Sequence, residues 1–296
     1  MKKYSVLTLG SCSVNILFQP DIQNEFMSSA MSSINVRPPF VLSLAESVQA
    51  VRFLRGEKEI APSLRWLCGL DRESDPSRSK GMLDALDFVF LEPNGAIELK
   101  FRGHDLTRFL VDSQLVRPLE TISPEAMRAT RAWYNQGVMQ CNLEVMAEAA
   151  ALLAPLVEGD DEDAELRRAI ILEARPVRAD EAMIMEQMRD FVSLVSAPIG
   201  VVTYTHQYMP DGRGTEWPPG FINGVIAAAV AHDLPYYEPS KLVQQHGVAF
   251  AMKPDRAHYS PEFQPVIARA LEQFMLESLD RRGETSPLVG AEQARR

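Results

Sequence analysis

Two short segments at opposite ends of the chain carry the residue types that acyl transfer needs. The first is Leu9-Gly10-Ser11-Cys12-Ser13, which closes an apolar run near the N-terminus. The second is Asp255-Arg256-Ala257-His258-Tyr259-Ser260-Pro261, just ahead of a long amphipathic pattern. Cleaving or transferring an ester or thioester takes a nucleophile, a base that accepts its proton, and a carboxylate that orients the base. Cys12 or Ser11 supplies the first, with Ser13 a third choice; His258 supplies the second and Asp255 the third. Loop residues three apart can face one cleft, so Asp255 can bind one imidazole nitrogen while the other points at the nucleophile. Cysteine is the stronger nucleophile once deprotonated, and a helix N-terminus beside a histidine lowers its pKa. The competing account of Cys12 is a small buried hydrophobe in a turn.

The elements around these segments decide whether they can meet. Tyr4 to Leu9 (YSVLTL) is rich in β-branched and apolar residues and is stopped by Gly10, which predicts a buried strand and a sharp turn. Ser13 to Phe18 follows as a short helix ending before Pro20, so the Ser-Cys-Ser group sits at a strand-to-helix turn whose free N–H groups favour an oxyanion. Asp87 to Leu91, Pro198 to Tyr204 and Leu234 to Tyr237 read as further strands, and Phe221 to Ala231 as an Ala-rich helix. Strands alternating with helices predict an α/β fold with a mainly parallel sheet. Between Pro124 and Val195 the chain reads as almost wholly helical, starting at the capped Ser123-Pro124-Glu125 and broken by an acidic loop, Glu158 to Glu165. The expectation is one domain over 1–296 with a helical insertion or cap at about 104–195. Ser260 as N-cap and Pro261 as first residue predict a final helix, bent near its start by Pro265.

Composition narrows the partners. The chain has 296 residues, 46% of them apolar, and a net charge of −10. That charge argues against non-specific nucleic-acid binding, which needs clustered Lys and Arg. Cys12, Cys68 and Cys141 are widely spaced and form no CxxC pair, which gives a zinc site or a disulfide framework little support and fits the cytoplasm. Met1-Lys2-Lys3 ahead of an apolar run ending in Leu-Gly-Ser-Cys has the look of a lipoprotein signal. Its apolar stretch is shorter than the ~7–15 residues a signal peptide uses, so a buried strand is expected instead. No run approaches the ~20 apolar residues of a membrane span.

Asp255-x-x-His258 followed by Tyr259-Ser260 and an amphipathic helix resembles the last block of SGNH (GDSL-type) hydrolases. In that family a strand ends in Gly-Asp-Ser and the serine attacks. Placing Gly10 on the family's glycine puts Ser11 at the aspartate and Cys12 at the nucleophile, which is similar to the GSCFA branch and to related GSC-type bacterial proteins. Capsule-biosynthesis proteins beginning Gly-Asn-Cys are a more distant likeness. The likeness spans about 20 residues at the start and about 100 at the end. It implies a three-layer α/β/α sandwich. It also implies oxyanion donors from a glycine and an asparagine, for which Asn94 in Glu92-Pro93-Asn94-Gly95 is the match, without the family's Gly-x-Asn-Asp pattern. Asn-Gly is equally an ordinary turn pair.

Thr203, Tyr204, His206 and Gln207 fall at the end of the third expected strand, where open α/β sheets bind ligands. His206 is therefore a candidate substrate contact or alternative base. Arg213 and Trp217 lie in the Gly- and Pro-rich stretch Pro210 to Gly220, a candidate rim or a plain surface loop. Glu92 and Glu98 as paired glycosidase carboxylates have no support from spacing. With no Gly-rich phosphate loop, no cofactor is expected, coenzyme A being the one that a transferase would use. The expected function is an SGNH-like esterase or acyltransferase acting on an acylated carbohydrate or other hydroxylated metabolite. The alternative is a non-catalytic member of the same fold that binds a glycan or a partner protein. The sequence leaves the oligomeric state open.

Overall fold

The computed structural model describes residues 3–18, 22, 27–34, 37–205, 207–216, 218–281 and 283, with the backbone alone at Cys12, Ser33 and Ile34. Five strands form the central sheet: β1 (Tyr4–Leu9), β2 (Met27–Ser29), β3 (Phe88–Leu91), β7 (Ile199–Val202) and β10 (Tyr236–Tyr237). Their order is β2-β1-β3-β7-β10, and every neighbouring pair is parallel. Registers such as Val6 opposite Phe88 and Val89 opposite Ile199 bring the carboxyl ends of β1, β3 and β7 to one edge.

Side-chain alternation along the strands makes two cores. Leu7, Leu9, Val89, Leu91, Ile199 and Val201 face the helices Leu44–Leu54, Glu181–Leu194 and Phe221–Ala231. Val6, Phe88, Phe90 and Val202 face the last helix, Gln264–Arg281. A sheet covered on both sides needs apolar residues at every position, which is why its strands read as continuous apolar runs. The result is a three-layer α/β/α sandwich. At Gly200 the absent side chain matters: a Cβ would lie 2.7 Å from both Phe274 and Phe88, so glycine lets the last helix lie on the sheet.

The chain winds outward from β1 to β2, then returns to the other side of β1 as β3. Winding direction therefore reverses between β1 and β3, and loops leaving their carboxyl ends diverge to leave a crevice. Gly10 and Glu92 are the first residues past those two ends.

The middle of the chain differs from its helical reading. A second, antiparallel sheet of β4 (Ile97–Phe101), β5 (His104–Leu106) and β6 (Arg175–Arg178), ordered β5-β4-β6, puts one strand, β6, inside the stretch read as helical. Arg-Pro-Val-Arg is strand only through its pairing, Leu99 opposite Pro176, which local pattern does not reveal. The acidic run is also shorter as a loop than expected. Asp161 caps the helix Glu162–Glu173 by accepting from the Ala164 N–H at 2.8 Å, and Glu162, Asp163 and Glu165 fill the first turn, where the dipole favours them. Ser123 caps Pro124–Arg131 as expected. The last helix begins at Gln264 rather than Pro261, which leaves Pro265 in the first turn, where a missing N–H costs nothing and no bend is needed. Among the described residues no helix is long and apolar enough to cross a membrane.

Candidate functional site

The first turn is built around a close approach. Gly10 continues β1 by one bridge to Phe40, with the Val41 N–H donating to the Gly10 carbonyl at 3.3 Å. A Cβ on Gly10 would lie 2.6 Å from Glu92 Cβ and 2.7 Å from Val14 Cγ1, so only glycine admits Glu92 here. Glu92 extends β3, its N–H donating to the Leu9 carbonyl at 2.8 Å. The Ser11 N–H and the Ser11 hydroxyl both donate to Glu92 Oε2 at 2.7 Å, and the Val14 N–H donates to the same carboxyl group. Ser11 and Glu92 are 4% and 1% exposed. Burial pushes the Glu92 carboxyl up to about 7, against the hydrogen bonds from Ser11 and Val14 that lower it.

Two turn amides expected to face an oxyanion are thus engaged by an internal carboxylate. Ser11 Oγ also accepts from the Ser13 N–H at 3.2 Å. This hydroxyl is buried and hydrogen-bonded on both sides. Cys12 opens a single helical turn, Cys12–Asn15, continued by Ile16–Phe18. Its side chain lies outside the described residues. The other two thiols are poor nucleophiles: burial raises the pKa of both Cys68 and Cys141.

The second segment is a tight loop before the last helix. Asp255 Oδ1 accepts from the Ala257 N–H at 2.9 Å and the His258 N–H at 3.1 Å, while Oδ2 faces His258 Nδ1 at 2.8 Å. The Ala257 N–H, followed by the His258 side chain, holds the Asp255 carboxyl down to about 2. Both side chains are about half exposed, 53% for His258 and 51% for Asp255. An antiparallel bridge between Met252 and Tyr259 closes the loop, and Arg256 takes a left-handed φ of 57° at its tip. A hairpin of β8 (Gln207–Tyr208) and β9 (Gly214–Thr215) holds this loop from the β7 side. The Tyr208 N–H donates to the Arg256 carbonyl at 2.9 Å, and the Gln207 side chain donates to the Asp255 carbonyl at 3.1 Å.

The two segments converge. A narrow cleft of about 10 Å³ is lined by Ser13 of the first turn, Thr203 and Thr205 after β7, Tyr208, and Ala257 and Tyr259 of the second loop. That is room for about one water molecule. Beneath it, the Tyr208 and Tyr259 hydroxyls hydrogen-bond each other. Burial first, and the nearby Tyr208 and Glu92, push the Tyr259 hydroxyl well above its ordinary value. Sequence reasoning had no role for Tyr208 or Tyr259; the one signal was Tyr259's place directly after His258.

Of the remaining candidates, Thr203 and Tyr204 line this cleft. Asn94 donates its backbone N–H to the Leu42 carbonyl at 2.8 Å, beside the Phe40–Val41 segment that bridges Gly10. Thr203 donates through its N–H to the Tyr237 carbonyl at 2.9 Å. Arg213 pairs with Asp211 at 2.7 Å on an exposed turn. His206 and Trp217 lie outside the described residues. Glu98 is held by Gln187 at 2.5 Å and Lys100 at 2.7 Å, in the second sheet. Among the described residues no group of three or more His, Cys, Asp and Glu side chains could hold a metal ion.

The family model described as TviD N-terminal domain matches residues 4–274. Among curated proteins none matches the sequence. The crystal structure of protein YxiM from Bacillus subtilis is similar at 10% identity with a TM-score of 0.39, over 96% of this chain and 58% of that one. The chain thus spans less than two thirds of that protein's length.

Proposed function

The chain belongs to the TviD N-terminal domain family, and from that premise we propose that it is an SGNH-like esterase or acyltransferase that works through a covalent acyl-enzyme. Cys12 is the nucleophile, His258 the base and Asp255 the orienting carboxylate. A carbohydrate or other hydroxylated metabolite carries or receives the acyl group. The observation that supports the reading is the narrow cleft where Ser13, next to Cys12, meets Ala257 and Tyr259, the neighbours of the hydrogen-bonded Asp255–His258 pair, at the carboxyl edge of a parallel sheet. The bond from Asp255 to Nδ1 fixes the imidazole and leaves Nε2 for the nucleophile's proton.

The chemistry balances without a metal. His258 Nε2 takes the thiol proton as Sγ attacks the acyl carbon, the C–S bond forms, and the ester C–O bond breaks. The proton passes to the departing alcohol. Water, or an acceptor hydroxyl, then gives its proton to His258 and displaces Sγ. In the transferase direction coenzyme A is a fitting acyl donor, and a reducing compartment keeps the thiol free.

Incubation with 4-nitrophenyl acetate, followed by peptide mass spectrometry, tests the reading. Acetylation of Cys12, lost in Cys12→Ala and in His258→Ala, is expected. An adduct mapped away from residues 11–13, or turnover that survives His258→Ala, sinks the mechanism. Absence of turnover with any short-chain ester supports the non-catalytic alternative.

A further inference from the structure

Resting on Cys12 as the nucleophile, we infer that Glu92 is a positioning residue for the acyl-transfer site. Its carboxylate fills the anion-binding turn after β1, fixes the backbone on which Cys12 stands, and ties that turn to the His258 loop. The turn offers one hydroxyl and two amide donors, from Ser11 and Val14, to a single carboxyl group. In a strand-to-helix turn such donors bind an anion from solution; here the anion is covalently part of β3. Gly10 gives the fit its specificity, because any side chain there would strike Glu92 itself.

The surroundings argue against a purely structural role. Glu92 is 1% exposed, and among the described residues no Lys, Arg or His faces it. What faces it is neutral: Ser11 and Val14 from the first turn, and the Tyr208 and Tyr259 hydroxyls, which its charge influences, from the β8 hairpin and the His258 loop. A buried carboxylate without a cation is costly, and here only hydrogen bonds from the nucleophile turn offset that cost. Its place at the β1–β3 switch point, between the nucleophile turn and Tyr259 next to His258, is where a brace for both would stand.

The test compares Glu92→Ala, which removes the acceptor, with Glu92→Gln, which keeps an oxygen able to accept both Ser11 donors. Single-turnover acetylation of Cys12 by 4-nitrophenyl acetate is expected to slow by on the order of 10–100-fold in Glu92→Ala, with substrate KM little changed. Glu92→Gln is expected to return most of that rate. Amide hydrogen exchange gives a readout that needs no turnover. Residues 10–15 and 255–259 should exchange at least about tenfold faster in Glu92→Ala, with the helix Leu44–Leu54 unaffected. Ser11→Ala, which deletes one donor and leaves Glu92 in place, should show a smaller effect on the same two segments. If acetylation of Cys12 is absent in the parent, the catalytic reading fails by itself and the exchange data still decide the brace. Unchanged exchange at residues 10–15 in Glu92→Ala overturns the inference. So does a rate that Glu92→Gln fails to recover, since the acceptor geometry would then not be what matters.

Discussion

Asp255 takes two backbone N–H groups on one oxygen and the His258 ring on the other, which leaves it little freedom to do anything but orient that ring. Its carboxyl, held down to about 2, is ionised throughout the working pH range, so no pH-dependent step belongs to it. Replacing it with alanine should lower kcat by about 10²–10⁴-fold with KM nearly unchanged, checked by steady-state kinetics with 4-nitrophenyl acetate as substrate. A loss in KM alone would instead make Asp255 a substrate contact. The depressed value also contributes stability that is present above the ordinary 3.8 and lost as pH falls through about 2, though solvent screening at a half-exposed site keeps it small. Glu92 and Glu46 behave in the opposite sense. Both are buried and pushed from 4.5 up to about 7, so the folded state holds protons that the unfolded state has released. Stability is therefore fully present below about 4.5 and declines as pH rises to about 7. Each carboxyl costs roughly 3 kcal/mol once ionised. Urea midpoints should be higher at pH 5 than at pH 8, and Glu46→Gln with Glu92→Gln should flatten the difference. A pH-independent midpoint in the parent would mean that neither group is strained by burial.

At the scale of elements, capping and packing decide how the site is held. Ser260 Oγ accepts from the Phe263 N–H at 3.2 Å and donates to the Phe250 carbonyl at 2.5 Å, tying the end of the Asp255–His258 loop to the turn that leads into the last helix. Ser260→Ala should cost about 1 kcal/mol in urea unfolding and loosen His258 more than the sheet. Loss of stability without any change in acylation would detach the cap from the site. Although it begins at Gln264 and not at Pro261, with Ser260 holding the turn ahead of it, the last helix was legible in sequence from its apolar spacing. So were β1, β3 and β7, whose apolar runs follow from burial on both faces. The strands β2, β4, β5 and β6 were not legible. Met27–Ser29 and Arg175–Arg178 carry no strand signal of their own and are strands because a neighbour pairs with them. The Ser11–Glu92 contact was hidden for a related reason. The two residues are 81 apart, and only the parallel pairing of Leu9 with Leu91 places them side by side. The pairing of Asp255 with His258 needed no such information, since three residues of one turn suffice.

For the molecule as a whole, the helical middle and the central sheet share one buried apolar cluster. Trp133 is fully buried within it and donates its indole N–H to the Ile171 carbonyl at 3.1 Å. The same cluster contains Leu7 and Leu9 of β1 and Val89 and Leu91 of β3, the strands that lead into the Gly10–Ser13 turn and Glu92. Continuity of this kind predicts one cooperative transition, because no plane through the cluster separates the middle of the chain from the sheet without exposing apolar surface on both sides. Trp133→Ala should then destabilise the protein by about 3–5 kcal/mol, the cost of an emptied aromatic site plus an orphaned carbonyl. Amides in β1 and β3, remote from the substitution in sequence, should lose exchange protection by the same free energy as those in the helix Glu162–Glu173. If the middle segment instead melts first, with β1 and β3 still protected, the helical region is an independent unit. Substitutions there would then reach the candidate site only through the two short connections that enter and leave the segment.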